Sequence, residues 1–363
     1  MTAERTAALA GARRRVPPAR RRSVVRRVLT GRIGSSVLTL AVLLAVFAGL
    51  LPRMTDYAGA WALVRGLTAG ETAVLAAAAL ANLISYGPVW TAALPGLTLG
   101  RAVLSDLAAT AVSNTVPAGF AVGVGTNAVM FTSYGFSPAP ITRAVALTGI
   151  WNNLVKFAVP GAALGGVALV ADVPPGLAVA ATLGGVLLLA VAGALVAVVS
   201  HAGAGAAAAR AAQRIVGVLA RAAGRRGPGG WPERAERFRA DSLDLLRARW
   251  VRLTAATLVS HAALFVLLLV CLRTVDGEGA GVHWLAVLAV FAVTRLVTAV
   301  PITPGALGVA ELSYVAGLTA VGVGATGAAA AVLVFRLLTW FLPIPCGVAA
   351  WLAWRHGVGR TDR

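Results

Sequence analysis

Within residues 298–336 a single carboxylate, Glu311, stands in an otherwise apolar stretch, with Arg295 before it and Arg336 after it as the nearest charges. An ionisable group at the centre of a membrane helix costs roughly 2.5–3.5 kcal/mol on insertion scales, so such groups are paired and mark functional sites. Pro301, Pro304, Gly305 and Gly308 precede the acid and break the helical pattern. Irregular backbone at membrane depth is tolerated only where protein or a wet cavity satisfies the freed N–H and C=O groups. The chemistry to expect is therefore binding or gating through a Glu311–Arg336 ion pair, with Arg295 free to meet an anion.

Other polar residues in apolar surroundings are fewer. Thr148, Asn152 and Lys156 follow one another at i, i+4 and i+8, which stacks them on one helical face. Asn152 and Lys156, the chain's only lysine, are candidate donors to a lipid phosphate, with snorkelling to the interface as the plainer role for Lys156. Asp106 reads equally as a helix-end acid near Arg101 or as a site residue. The four histidines are scattered without metal-ligand spacing, so no metal, cofactor or catalytic residue is assigned. Cys271 and Cys346 read as small buried hydrophobes.

The elements that must position these groups are membrane helices. Of the 363 residues 58% are hydrophobic and 12% charged, with a mean hydropathy of +0.82, outside the range of ordinary soluble domains. Charge-free runs recur at 33–52, 72–100, 107–142, 173–209, 253–272 and 312–335. About 20 apolar residues make one crossing, so the longer runs hold more than one, and about 8–10 hydrophobic elements fit. The fold class is all-α, a polytopic helical bundle. The net charge of +19 comes largely from arginines beside the spans: ten in residues 1–32, and eleven against four acids in 210–252. That placement points to cytoplasmic surfaces and anionic headgroups rather than to nucleic acid. The organisation reads as a basic cytoplasmic tail (1–32), an N-terminal membrane half (33–199), a basic cytoplasmic linker lying on the membrane surface (200–250), a C-terminal membrane half (251–356) and a short tail (357–363). The plasma membrane is the expected location.

A second break falls at Pro117, Gly119 and Gly123, where Gly119 and Gly123 have the spacing that lets helices approach closely; Gly161 and Gly165 form another such pair, read as packing. The two broken stretches resemble each other. Pro117 precedes Gly135 by 18 positions, Pro304 precedes Gly322 by 18, and each stretch leads into a long element with polar residues at its middle. Counting crossings from a cytoplasmic tail makes 69–170 and 251–354 inverted copies. That arrangement belongs to transporters, with the site at the repeat interface. Whether the broken elements cross or return as re-entrant hairpins stays open at this level.

The run Pro304-Gly305-Ala306-Leu307-Gly308-Val309-Ala310-Glu311 resembles the Pro-Gly-Gly-x-Gly-x-x-Glu motif of the membrane region of lysylphosphatidylglycerol synthases and their stand-alone, flippase-like relatives. Gly322, Arg336 and the turn Tyr134-Gly135-Phe136-Ser137-Pro138 also resemble that family's pattern, while Ala306 stands where the motif has a second glycine. The resemblance implies an integral membrane domain that handles lipids, in some members an aminoacylated phospholipid moved between leaflets. It is not expected to carry the synthase activity, because no soluble transferase domain follows Trp354 in this sequence. The expectation is a non-enzymatic transporter of a phospholipid or lipid-linked substrate, partnered by membrane lipids, with a homo-oligomer or a cytoplasmic enzyme as further partners. The alternatives are a lipid-dependent membrane transferase and a non-catalytic membrane anchor for a cytoplasmic enzyme.

Overall fold

A computed structural model describes residues 57–116, 119–167, 175–200, 230–275, 281–298 and 306–361, together with 210, 213 and 214. The tail, the first expected span, and Pro117, Pro301, Pro304 and Gly305 lie outside the described residues. The described residues are helical and contain no strand. In chain order they form α1 (Tyr57–Arg65), α2 (Ala69–Ser85), α3 (Gly87–Ala93), α4 (Leu99–Thr115), α5 (Gly119–Ser133), α6 (Pro138–Val167) and α7 (Pro175–Ser200). There follow α8 (Trp231–Val275), α9 (Trp284–Val297), α10 (Val309–Ala320), α11 (Ala325–Arg336), a π-helical turn (Leu337–Phe341) and α12 (Pro343–Thr361).

Among the described residues three stretches are long and apolar enough to cross a membrane: Ala69–Ala93, Ala235–Val275 and Ala325–Gly357. The first is kinked at Tyr86, where Pro88 cannot donate to the preceding turn. The third changes pitch after Arg336 because Pro343 likewise cannot donate to Thr339; Leu342 N bonds Leu337 O at 2.8 Å in a π turn. Residues 231–275 form one continuous helix across the expected boundary between linker and membrane half. No glycine, and no proline beyond Pro232 in the first turn, interrupts it. Its N-terminal part docks on the bundle: Arg143 approaches Asp241 at 3.7 Å, and Leu245 and Leu253 enter the apolar core around Trp90 and Ala144.

Two helical hairpins, α4–α5 and α9–α10, sit between these long elements. The 12 residues of α10 extend only about 18 Å and the 14 of α9 about 21 Å, against a hydrocarbon core of about 30 Å. Lengths of this kind fit a hairpin whose tip turns inside the membrane. Both hairpins end in the same C-cap. Gly135 (φ 92°) and Gly322 (φ 98°) take the left-handed conformation glycine permits. Phe136 N then bonds Phe131 O at 3.2 Å, as Val323 N bonds Leu318 O at 3.0 Å.

The long-range packing has the reciprocity of a repeat. The closing helix of each half packs on the opposite half's hairpin: α6 on α9, and α12 on α4. The opening helices α2–α3 and α8 pack directly on each other. They run antiparallel, since Arg249 Nη1 reaches Thr91 O (3.5 Å) near one end, Ser85 Oγ meets Ser260 Oγ (3.2 Å) farther along, and Leu75 shares a core with Cys271 farther still. A hairpin adds either no crossing or two, so the opposite orientation of the halves does not depend on which it adds.

Close helix approach is local and glycine-dependent. A Cβ on Gly119 would lie 2.1 Å from Ser113 O, one on Gly123 2.8 Å from Ala109 O, and one on Gly347 2.2 Å from Leu107 O. Gly123 is thus part of the regular helix α5 and a packing contact, which corrects its reading as a backbone break. Gly161 and Gly165 are exposed with nothing near their Cβ positions, so the packing expected of them fails. Gly166, against Leu285 at 3.0 Å, and Gly184, against Leu296 at 3.2 Å, make the close contacts there.

Candidate functional site

Glu311 occupies the first turn of α10 and is 3% exposed. Its Oε2 accepts a 2.6 Å hydrogen bond from the N–H of Gly308, whose φ of 82° turns that amide toward the carboxylate. Its Oε1 accepts from Arg336 Nε at 2.6 Å. One carboxylate therefore satisfies both an open helix end and a guanidinium on a different helix, as a charge-assisted bond in low dielectric should. The preceding residue pair explains how the chain turns there: Ala306 has φ 54°, a conformation a second glycine would adopt without strain.

Arg336 faces a cavity of about 510 Å³ between the two halves. Asp106, Asn114, Asn152, Arg295 and Arg336 contribute to its lining, together with His261 and aromatic rings from Tyr86, Tyr314 and Trp340. Both hairpin tips reach it, through Asn114 at the end of α4 and through Thr298 and Ala306 between α9 and α10. The structure brings Asp106, Asn152, Arg295 and Arg336 together, with Glu311 directly behind Arg336. Lys156, one turn beyond Asn152, does not line the cavity, though it lies within electrostatic reach of Arg295. Thr148 of the same stripe is buried. Asp106 is not a helix-end acid beside Arg101. It sits in the middle of α4 and accepts 2.9 Å from Trp90 Nε1, while Arg101 stacks 4.9 Å from the Tyr134 ring centroid. The physical reason is the kink at Tyr86, which lays α3 along α4 and carries the Trp90 indole to the carboxylate.

Four contributors were not singled out from sequence. His261 is 6% exposed, with Nδ1 3.0 Å from Thr257 O. Trp90 and Trp340 were legible only as apolar bulk, and their polar edges matter only once the halves meet. Asn114 Nδ2 donates 3.0 Å to Trp340 O, a carbonyl in the π turn, and so links the first hairpin's tip to the second half's closing element. Among the described residues no cluster of three or more His, Cys, Asp or Glu has the geometry to hold a metal.

Charged groups at the meeting of two inverted helical halves, walled by apolar helices, define a polytopic membrane protein with an internal polar cavity. The family model described as the lysylphosphatidylglycerol synthase TM region matches residues 36–347, and the chain belongs to that family. It is a membrane protein of a family tied to lipid metabolism. No curated protein matches the chain.

Proposed function

We propose that this protein moves a phospholipid or a lipid-linked substrate between membrane leaflets, acting as a transporter rather than an enzyme. One observation carries the reading: a cavity lined by Asp106, Arg295 and Arg336 lies between inverted halves, with both hairpin tips converging on it. Charges inside a membrane bundle are costly unless a function retains them. A polar chamber between inverted repeats is the arrangement by which one half can rock against the other around a fixed site. The headgroup would enter the chamber while the acyl or prenyl chains stay in lipid. The Glu311–Arg336 pair would hold the second hairpin to α11 in one state and release it in the other. The tail and the 200–250 segment would face the cytoplasm of a plasma membrane, and anionic headgroups would be the preferred partners.

The deciding experiment is exchange of fluorescent phospholipids between leaflets in proteoliposomes, comparing wild type with Glu311→Gln at matched incorporation and folding. Exchange in wild type that is lost in the variant supports the reading. Equal exchange in both removes the ion pair from the mechanism. No exchange of any phospholipid or polyprenyl-phosphate probe overturns the transport reading.

A further inference from the structure

The two helices that close the second half belong to different bodies. Before the π turn, α11 buries Ala331, Val334 and Phe335 in one apolar core with residues of α2, α8, α9 and α10, and no described residue of α4, α5 or α12 enters that core. Beyond the turn, the first hairpin holds the chain at three depths. Asn114 Nδ2 donates to Trp340 O at 3.0 Å, Gly347 is seated where its Cβ would lie 2.2 Å from Leu107 O, and Trp354 Nε1 donates to Ser133 Oγ at 2.9 Å. Helices α4, α5 and α12 thus make one block, and α11 with the second hairpin belongs to another.

Residues 337–341 carry the chain from one body to the other, and none of the five is buried. Their backbone bonding is sparse. Leu342 N reaches back to Leu337 O, and Pro343 and Pro345 have no N–H to give to Thr339 O and Phe341 O. Helices bend at prolines and at π turns because the ladder of i to i−4 bonds is interrupted there. Pro160, inside the closing helix of the first half, leaves α6 helical throughout, so the two halves differ at this point. The turn also borders the chamber: Arg336, just before it, and Thr339 and Trp340, within it, all line the cavity.

Resting on the transport reading, we infer that the π turn is a hinge: the body holding α11 and the second hairpin swings about residues 337–341 against the rigid block of α4, α5 and α12, and the swing opens and closes the chamber between them. The hydrogen bond from Asn114 to Trp340 O keeps the tip of the first hairpin on the turn itself, so the block follows α12. Arg336 stands on the other side of the turn with Glu311, so the ion pair travels with the second body.

The test uses the full chain in proteoliposomes, carrying Cys346→Ala and pairs of spin labels on cysteines added at exposed positions; Cys271 is fully buried and stays. Labelled protein is diluted with unlabelled protein so that only distances within one chain are read. Ala325→Cys on α11 with Val348→Cys on α12 spans the turn, and Val129→Cys on α5 with Val348→Cys lies within the block. Electron–electron dipolar spectroscopy should give two separated distances for the spanning pair and one narrow distance for the block pair. Pro343→Ala with Pro345→Ala returns two N–H donors to the turn. That variant should collapse the spanning pair to one distance, leave the block pair unchanged and slow leaflet exchange about ten-fold, the scale of one or two backbone hydrogen bonds that favour a single state. Pro343→Ala alone should move the populations and the rate in the same direction by less. One narrow distance across the turn in wild type, two distances that persist in the double variant, or a block pair as broad as the spanning pair overturns the hinge. Two distances that collapse in the variant of a protein exchanging no lipid uphold the hinge and remove transport. Exchange that is undiminished in the double variant overturns the hinge and leaves transport standing.

Discussion

The hairpins α4–α5 and α9–α10 share an 18-residue frame and the same left-handed glycine cap, yet their tips close by different chemistry. The first is closed by backbone proximity: Gly119 and Gly123 let α5 lie against Ser113 and Ala109 with no room for a Cβ. The second is closed by charge: Glu311 ties the start of α10 to Gly308 N and to Arg336 on another helix. Close backbone packing has one arrangement and yields little, whereas an ion pair on a short helix can exchange partners or be released. The comparison assigns rigidity to the first hairpin and mobility to the second, and four substitutions test it.

The largest effect belongs to Glu311→Ala, which takes from the half-buried Arg336 its carboxylate partner. About 3–5 kcal/mol of destabilisation is expected, read as a lower unfolding temperature of solubilised protein, and Glu311→Gln should recover part of it. Next, Gly123→Val forces a side chain into the Ala109 carbonyl and Ser113 and should cost about 1–3 kcal/mol or more, since backbone cannot move aside. If Gly123→Val is tolerated while Glu311→Ala unfolds the protein, the first hairpin is the looser one and the contrast is reversed. Trp90→Phe removes the indole that serves Asp106 and should cost about 1–3 kcal/mol while leaving the second hairpin's ion pair intact; thermal unfolding of the double variant with Glu311→Gln should show additive losses. The smallest change is a gain: Ala306→Gly relieves a positive φ at the second tip and should stabilise by about 0.5–1 kcal/mol in the same assay. A loss there would mean that the turn does not hold this conformation in solution.

Much of this was legible in the chain because it depends on neighbours a few residues apart. The matched 18-residue spacings from Pro117 to Gly135 and from Pro304 to Gly322 foretold a repeat, and the isolation of Glu311 and Arg336 in apolar sequence foretold that each needs a partner. Membrane class and inverted order follow from hydropathy and arginine placement. Asp106 was ambiguous because the group that settles it, Trp90, arrives on another helix across a kink. Lys156 shares a helical face with Asn152, but helical periodicity says nothing of where a cavity ends.

By itself the sequence determined the solvent, the helices and the need for internal ion pairing, since each is dictated by burial cost and local backbone geometry. The tertiary structure decided which groups share one chamber. Asp106 on α4, His261 on α8, Arg295 on α9 and Trp340 beyond α11 are scattered over 235 positions of chain and meet only because each half lends its closing helix to the other. Helix crossing is set by close packing of whole surfaces, with Gly347 seated against Leu107 O, and no local periodicity encodes it.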